Sequence, residues 1–321
     1  MENEFESFYP PKPYLEKEQQ RQGHVAVTVF SIVLFAIAFL FFFGQQVVFL
    51  VELIAILLLH ELGHFVMMKR FGYRNVRMLF VPLMGAFVHG SKETYRQKES
   101  ILVILAGPLP GIAIGVALLL AGIEWRSVWM IDTAFLSFAL NVINLLPILP
   151  LDGGRLLNVL FFQRMELFQL IFSFCSSLAM IVLGFLIGFY GGSYILMIFG
   201  FLMGLQVRGM HRRYLVHRSL RDSNVEYMTT YENLTDRAYH FIRKEVLEHT
   251  PGLRRFLEQS ESGEEDASRI VAGEVNNMLE APQEKDAGVF YRIFILLVWI
   301  AAIVGPVLMV LNVNLPEEYG I

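Results

Sequence analysis

Two histidines and a glutamate stand together in His60-Glu61-Leu62-Gly63-His64, within the apolar stretch that runs from Leu57 to Phe65. Residues four apart share one face of a helix, so both imidazoles can bind a single divalent ion. Glu61 directly follows the first of them. There it can take a proton from a hydrolytic water as that water attacks a carbonyl, and pass it to a leaving amine. The competing reading is structural, with His60 and His64 only hydrogen-bonded between helices. Against it, an acidic residue in the middle of a membrane helix costs a few kcal/mol to insert, so each ionisable group here needs a partner or a wet cavity.

Zinc at a hydrolytic site takes three protein ligands and keeps one position open, so a third ligand is required. Glu52, Asp132, Asp152 and His89 are the candidates in apolar surroundings. Glu52 precedes His60 by two turns of the same helix and is poorly placed to close a tetrahedral shell. Asp152 ends the segment Asn144-Leu145-Leu146-Pro147-Ile148-Leu149-Pro150-Leu151-Asp152-Gly153-Gly154-Arg155. Its prolines break or kink a helix and its glycines permit close backbone approach, an arrangement that can aim a carboxylate inward.

The elements that must hold these residues are membrane spans. Of 321 residues, 55% are hydrophobic, more than a water-soluble domain of this length hides easily. Runs of the roughly 20 apolar residues needed to cross a bilayer occur at Val25–Phe43, Val47–Met68, Ile101–Ile123, Val128–Leu151, Phe168–Tyr190 and Val289–Val313, with a shorter run at Tyr194–Val207. The pattern predicts an all-α polytopic membrane protein of about seven transmembrane helices, six if the short run fails to cross. The first run is expected to be a retained anchor.

Basic residues mark the cytoplasmic side. They cluster at Lys12 to Arg21, Lys69 to Lys98 and Arg208 to Arg221, in alternation with the spans. This orientation puts His60, His64 and Asp152 together in the cytoplasmic half of the bilayer. The formal charge of −4 gives no argument for nucleic acid binding. Cys175 is the only cysteine, so an internal disulfide and a cysteine-based metal cluster are excluded.

Between Arg70 and Ser100 the pattern is not helical. Val76, Met78, Phe80, Val81 and Met84 to Val88, bracketed by Gly72 and Gly90, predict short strands or a hairpin lying partly in the membrane. In the later polar stretch Ala238, Phe241, Ile242, Val246 and Leu247 recur at helical intervals, predicting a small helical appendage with either a regulatory or partner-binding role or none. His211, His217, His240 and His249 lack ligand spacing and read as solvated.

With these motifs in hand, the chain resembles the site-2 protease family of intramembrane zinc metalloproteases. His60-Glu61-Leu62-Gly63-His64 has that family's H-E-x-G-H form, Asn144 to Gly154 its N-x-x-P-x-x-P-L-D-G-G segment, and Ala106-Gly107-Pro108 a third signature. The resemblance implies one zinc ion held by His60, His64 and Asp152, with Glu61 as general base. It implies a catalytic core of three spans over residues 47–157, with a membrane-associated β-rich loop at 72–90. Asn144 matches the family's Asn and is expected either to bind the substrate backbone or the developing oxyanion, or to pack between helices. Gly85, Ala86 and Phe87 are expected substrate contacts by strand addition, and His89 a possible gate.

Around that core the expected organisation is a polar cytoplasmic N-terminus at 1–24 and an accessory helix at 25–46. Accessory helices follow at 158–207, then a cytoplasmic helical region at 208–288, a last helix at 289–313 and a tail at 314–321. The expected activity is peptide-bond hydrolysis in a single-span membrane substrate within the bilayer, releasing a cytoplasmic fragment. Clearance of signal-peptide remnants is the alternative of the same chemistry. A membrane chaperone or metal-binding protein without proteolysis is the alternative of another class, and the intact Glu61 argues against the chaperone.

Overall fold

The computed structural model describes residues 9–15, 24–43, 46–81, 85–162, 165–190, 192, 194–259 and 264–313. The expected tail at 314–321 and most of the expected N-terminal segment lie outside them. Helix α1 (His24–Phe43) is followed by α2 (Val47–Arg70), the strands β1 (Arg74–Val81), β2 (Gly85–Ser91) and β3 (Tyr95–Arg96), then α3 (Gln97–Leu105), α4 (Pro108–Glu124) and α5 (Val128–Asn144). A short α6 (Asp152–Leu157) passes into a π-helical turn (Asn158–Phe162). Next come α7 (Glu166–Phe189), α8 (Ile195–Asp222), a 3₁₀ turn (Tyr231–Asn233), α9 (Asp236–Glu248), α10 (Pro251–Gln259), α11 (Glu264–Met278), β4 (Gln283–Glu284) and α12 (Val289–Asn312).

Among the described residues, four helical stretches are long and apolar enough to cross a membrane: α2, the pair α3–α4, α7 and α12. Val25–Phe41 and Val128–Asn144 are shorter apolar helices. The faces of α2 show which solvent they meet. Leu58, Leu62 and Val66 are exposed, whereas His60, Glu61, His64 and Met68 are buried. A helix that turns leucines outward and a glutamate inward is stable only if lipid surrounds it. The chain is therefore a membrane protein.

Two expected spans are interrupted. The run Ile101–Ile123 breaks at Ala106-Gly107, where Pro108 begins α4 without a backbone donor to lose. The run Val128–Leu151 stops being helical at Asn144, and the chain turns through Leu145–Leu151 before α6 starts at Asp152. The short run at Tyr194–Val207 is the first half of the 28-residue helix α8, whose second half is charged. Helix α7 packs against it through small residues, with Ser177 Oγ donating to the Gly200 carbonyl at 2.7 Å.

Strands β1 and β2 form an antiparallel hairpin, pairing Leu79 with Phe87 and Arg77 with His89. The outer edge of β1 is occupied by α1: Thr28 Oγ1 donates to the Met78 carbonyl at 2.7 Å and Phe80 N–H donates to Ser31 Oγ at 3.1 Å. Backbone groups point alternately to the two sides of a strand. With Met78 and Phe80 turned toward α1, their neighbours across the hairpin, Val88 and Ala86, turn theirs to the far edge of β2. That edge has no strand partner among the described residues.

The core is divided in three. One apolar cluster joins α3 to α6 and α12, where Trp299 Nε1 donates to the Leu145 carbonyl at 2.9 Å. A second joins α1, α2 and the hairpin, and a third joins the charged half of α8 to α9 and α11.

The tightest approach lies beside the His60–His64 helix: a Cβ on Gly63 would stand 1.8 Å from the Ala106 carbonyl oxygen. Gly63→Ala is therefore expected to force α2 off the α3–α4 break and to destabilise the protein by roughly 1–3 kcal/mol or more. Gly305→Ala, inside α12 with room for its Cβ, is expected to leave stability unchanged or raise it by up to about 1 kcal/mol. Thermal unfolding of the two variants in lipid nanodiscs checks this contrast.

Candidate metal centre

His60, His64 and Asp152 converge from α2 and the start of α6. The His60 Nε2 atom is 3.1 Å from Asp152 Oδ2, His64 Nε2 is 3.1 Å from the same oxygen, and the two Nε2 atoms are 3.1 Å apart. All three residues are buried. Asp132 is exposed, and Glu52 at the other end of α2 accepts a hydrogen bond from the Trp129 indole. His89 is exposed on β2, opposite Arg77. Of the four candidates for a third ligand, only Asp152 meets the histidine pair.

The partners of the far ring nitrogens fix both tautomers. Asn141 Nδ2 donates to the Ser137 carbonyl at 2.8 Å, which turns Asn141 Oδ1 toward His60 Nδ1, 2.8 Å away. An amide oxygen accepts, so His60 Nδ1 carries the proton and Nε2 presents a lone pair. His64 Nδ1 lies 2.7 Å from the Val103 carbonyl, and the same reasoning leaves its Nε2 bare. Two imidazole lone pairs and a carboxylate oxygen thus face one point in an apolar interior, an arrangement that repels itself unless a cation sits among them.

Zinc fits this donor set. Bonds of about 2.0–2.1 Å in a tetrahedral shell separate neighbouring ligands by about 3.3 Å, close to the observed triangle. Asp152 Oδ1 is left to Arg155, whose guanidinium is 3.6 Å away. Gly107, at the helix break, closes in from the third side: a Cβ there would come within 2.3 Å of His64 Nε2, so only glycine leaves the centre room. Glu61 is buried beside the histidines, and its Oε2 has no hydrogen-bond partner among the described residues.

Asn141 and Val103 carry no motif signal, whereas Gly107 lies in the Ala106-Gly107-Pro108 signature and Arg155 ends the Asp152 segment without a role evident from spacing. A weaker signal for Asn141 is present, as a polar residue one turn before Asn144 on an apolar helix. Asn144 itself is half-buried at the end of α5 and makes no side-chain hydrogen bond among the described residues.

A second group, Glu166, His217 and Glu280, also brings ligand atoms within 4.8 Å. His217 is fully buried, which corrects its reading as solvated. Its ring stacks on Tyr227 at 4.3 Å, and its Nε2 donates to the Met278 carbonyl at 2.8 Å. Here protein cations are already in place: Arg221 lies 2.8 Å from Glu166 Oε1 and Arg213 lies 3.5 Å from Glu280. The two clusters differ in that respect: in the first, Arg155 reaches only Asp152 Oδ1, and the three atoms that face one another have no basic side chain beside them among the described residues.

Residues 48–127 and 120–185 match the model of peptidase family M50. Among curated proteins, the chain is 35% identical over 137 residues to stage IV sporulation protein FB of Bacillus subtilis, covering 39% of this chain and 46% of that protein. It is 25% identical over 146 residues to a zinc metalloprotease of Methanocaldococcus jannaschii, covering 44% of this chain and 42% of that one. The chain thus spans about half the length of the curated relatives it matches. A solved structure described as the site-2 protease from Methanocaldococcus jannaschii aligns with 56% of this chain and 88% of its own, at 21% identity and a TM-score of 0.42. His60, Glu61, His64, Asn141 and Asp152 all lie within the residues that match peptidase family M50, and the resemblance to the site-2 proteases read from the motifs is borne out.

Proposed function

We propose that this chain is an intramembrane zinc metalloprotease that hydrolyses peptide bonds of membrane-embedded substrates. The observation that carries the reading is the convergence of two bare imidazole nitrogens and one carboxylate oxygen beside a buried, unpartnered glutamate. Zinc, when bound, supplies a Lewis acid that polarises the scissile carbonyl and makes water more acidic. His60, His64 and Asp152 would hold it. Asn141 and the Val103 carbonyl fix the imidazole orientations, and Arg155 keeps one carboxylate oxygen turned away from the centre.

Glu61 is the proton carrier in this reading. With Oε2 buried and no protein donor on it, its carboxylate can accept a proton from the attacking water and return it to the nitrogen of the departing peptide. The apolar helices around it exclude bulk water, which strengthens every electrostatic contact within the site.

A transmembrane helix hides its carbonyls in internal hydrogen bonds and must be opened before it is cut. The far edge of β2 offers the opened chain replacement bonds through the outward groups of Ala86 and Val88, since α1 holds the other edge of the hairpin. In this reading Gly85, Ala86 and Phe87 contact substrate, Asn144 binds its backbone near the scissile bond, and His89, exposed two residues beyond Phe87, is the residue assigned to the gate. Around seven helices would cross the membrane, with α1, α5 and the apolar half of α8 joining the four longer stretches. The active site would lie in the cytoplasmic half of the bilayer. The physiological role would be regulated cleavage of a single-span protein, releasing a cytoplasmic fragment.

Four variants test this reading, by cleavage of co-expressed tagged single-span substrates and by metal content. Glu61→Gln retains one zinc per chain and loses cleavage, whereas His64→Ala loses the metal; cleavage unchanged in both would remove the mechanism. Asn141→Leu is expected to lower zinc affinity about 10–100-fold by freeing the His60 ring, read by competition with a chelator. Ala86→Pro removes an outward N–H without touching the β1 ladder. It should slow cleavage of membrane substrates at unchanged zinc content, and full activity in that variant would show that substrate does not add to this edge.

A further inference from the structure

The segment Tyr9–Leu15, Tyr-Pro-Pro-Lys-Pro-Tyr-Leu, lies against the helical region that follows the membrane-crossing part of α8. Lys12 is its centre. The Nζ atom donates to the carbonyls of Tyr231 at 2.6 Å and Glu232 at 3.0 Å, and also to that of Leu234. An ammonium has three donors and no acceptor, and here three convergent carbonyls at the 3₁₀ turn receive them. The Tyr231 ring lies 5.2 Å beneath the charge. The planar fork of an arginine does not match three carbonyls grouped around one point.

The backbone on either side of Lys12 is read as well. Lys12 N–H donates to Asp236 Oδ1 at 2.8 Å, Tyr231 OH to the Pro13 carbonyl at 2.7 Å, and His240 Nε2 to the Pro10 carbonyl at 2.8 Å. Tyr9 stacks on the His240 ring with centroids 5.8 Å apart, and Leu15 packs against the apolar cluster of α8, α9 and α11. Pro10, Pro11 and Pro13 restrict the backbone before it docks, so less conformational entropy is lost on binding. Side chain, backbone and flanking aromatic contacts together hold the segment as a docked ligand, supplied by the same chain from more than 200 residues away.

We propose that the helical region after α8 is a peptide-binding module specific for an extended, proline-flanked lysine, and that Tyr9–Leu15 is its ligand in cis. The contact is non-covalent and centres on one charge. Acylation of Lys12 removes that charge and leaves a single N–H, too few for three carbonyls. The module therefore reports the modification state of Lys12, and it accepts a competing peptide of the same chemistry when its own segment is absent.

The test uses the full chain in nanodiscs and reads binding without any cleavage, so it is independent of the proteolytic reading. A fluorescent synthetic peptide of residues 9–15 is titrated against wild type and Lys12→Gln. With its own ligand loosened, the Lys12→Gln chain is expected to bind the peptide at least tenfold more tightly than wild type, while the same peptide acetylated on its lysine binds neither. Hydrogen exchange at residues 231–240 is expected to quicken in Lys12→Gln and to slow again when the unmodified peptide is added. Equal binding of acetylated and unmodified peptides, or no binding to Lys12→Gln, overturns the proposal.

Discussion

Three electron pairs aimed at one point inside an apolar bundle form the constraint on which this structure depends. Each of the groups concerned, two imidazoles and a carboxylate, is costly to bury in lipid-facing helices. Together they are costlier still without a cation. Hydrogen bonds to the Asn141 side-chain oxygen and the Val103 carbonyl hold both rings in the one tautomer that leaves them bare toward the centre. A divalent ion held there would turn this repulsion into attraction.

The breaks in the helices follow from the same demand. Straight α-helices cannot bring backbone against a metal centre, because their side chains intervene. At Ala106-Gly107-Pro108 the absence of a Cβ lets the chain pass within contact of the His64 ring, and Gly63 across from it accepts the Ala106 carbonyl. At Leu145–Leu151 the end of α5 frees the chain to re-enter with Asp152 at the first position of a new helix. Unpaired backbone at these depths is tolerated because it lies within protein and not against lipid: the Leu145 carbonyl, for one, receives the Trp299 indole of α12.

Much of the centre could be read from spacing alone. His60 and His64 are related by helical geometry, and the prolines and glycines around Asp152 announce a broken helix before any coordinates exist. What spacing does not carry is which residues of other helices face them. Asn141 and Asn144 are one turn apart with the same side chain, and only the rotation of α5 against α2 decides which one meets His60. Burial of His217 was hidden for a related reason: its surroundings in sequence are charged, yet its neighbours in space are Tyr227, Glu166 and the Met278 carbonyl. The hydroxyl contacts of α1 with the β1 edge, and the docking of Lys12, join segments with no periodicity in common.

In the proposed centre His60, His64 and Asp152 would together bind one zinc ion. Zinc-edge X-ray absorption on the Glu61→Gln chain in nanodiscs, loaded with one equivalent of metal, tests it most directly. The expected spectrum is four-coordinate, with two imidazole nitrogens at about 2.0–2.1 Å and oxygen ligands, and it loses the two-imidazole signature in His60→Ala. A spectrum unchanged by that substitution, or one with sulfur in the shell, would contradict it.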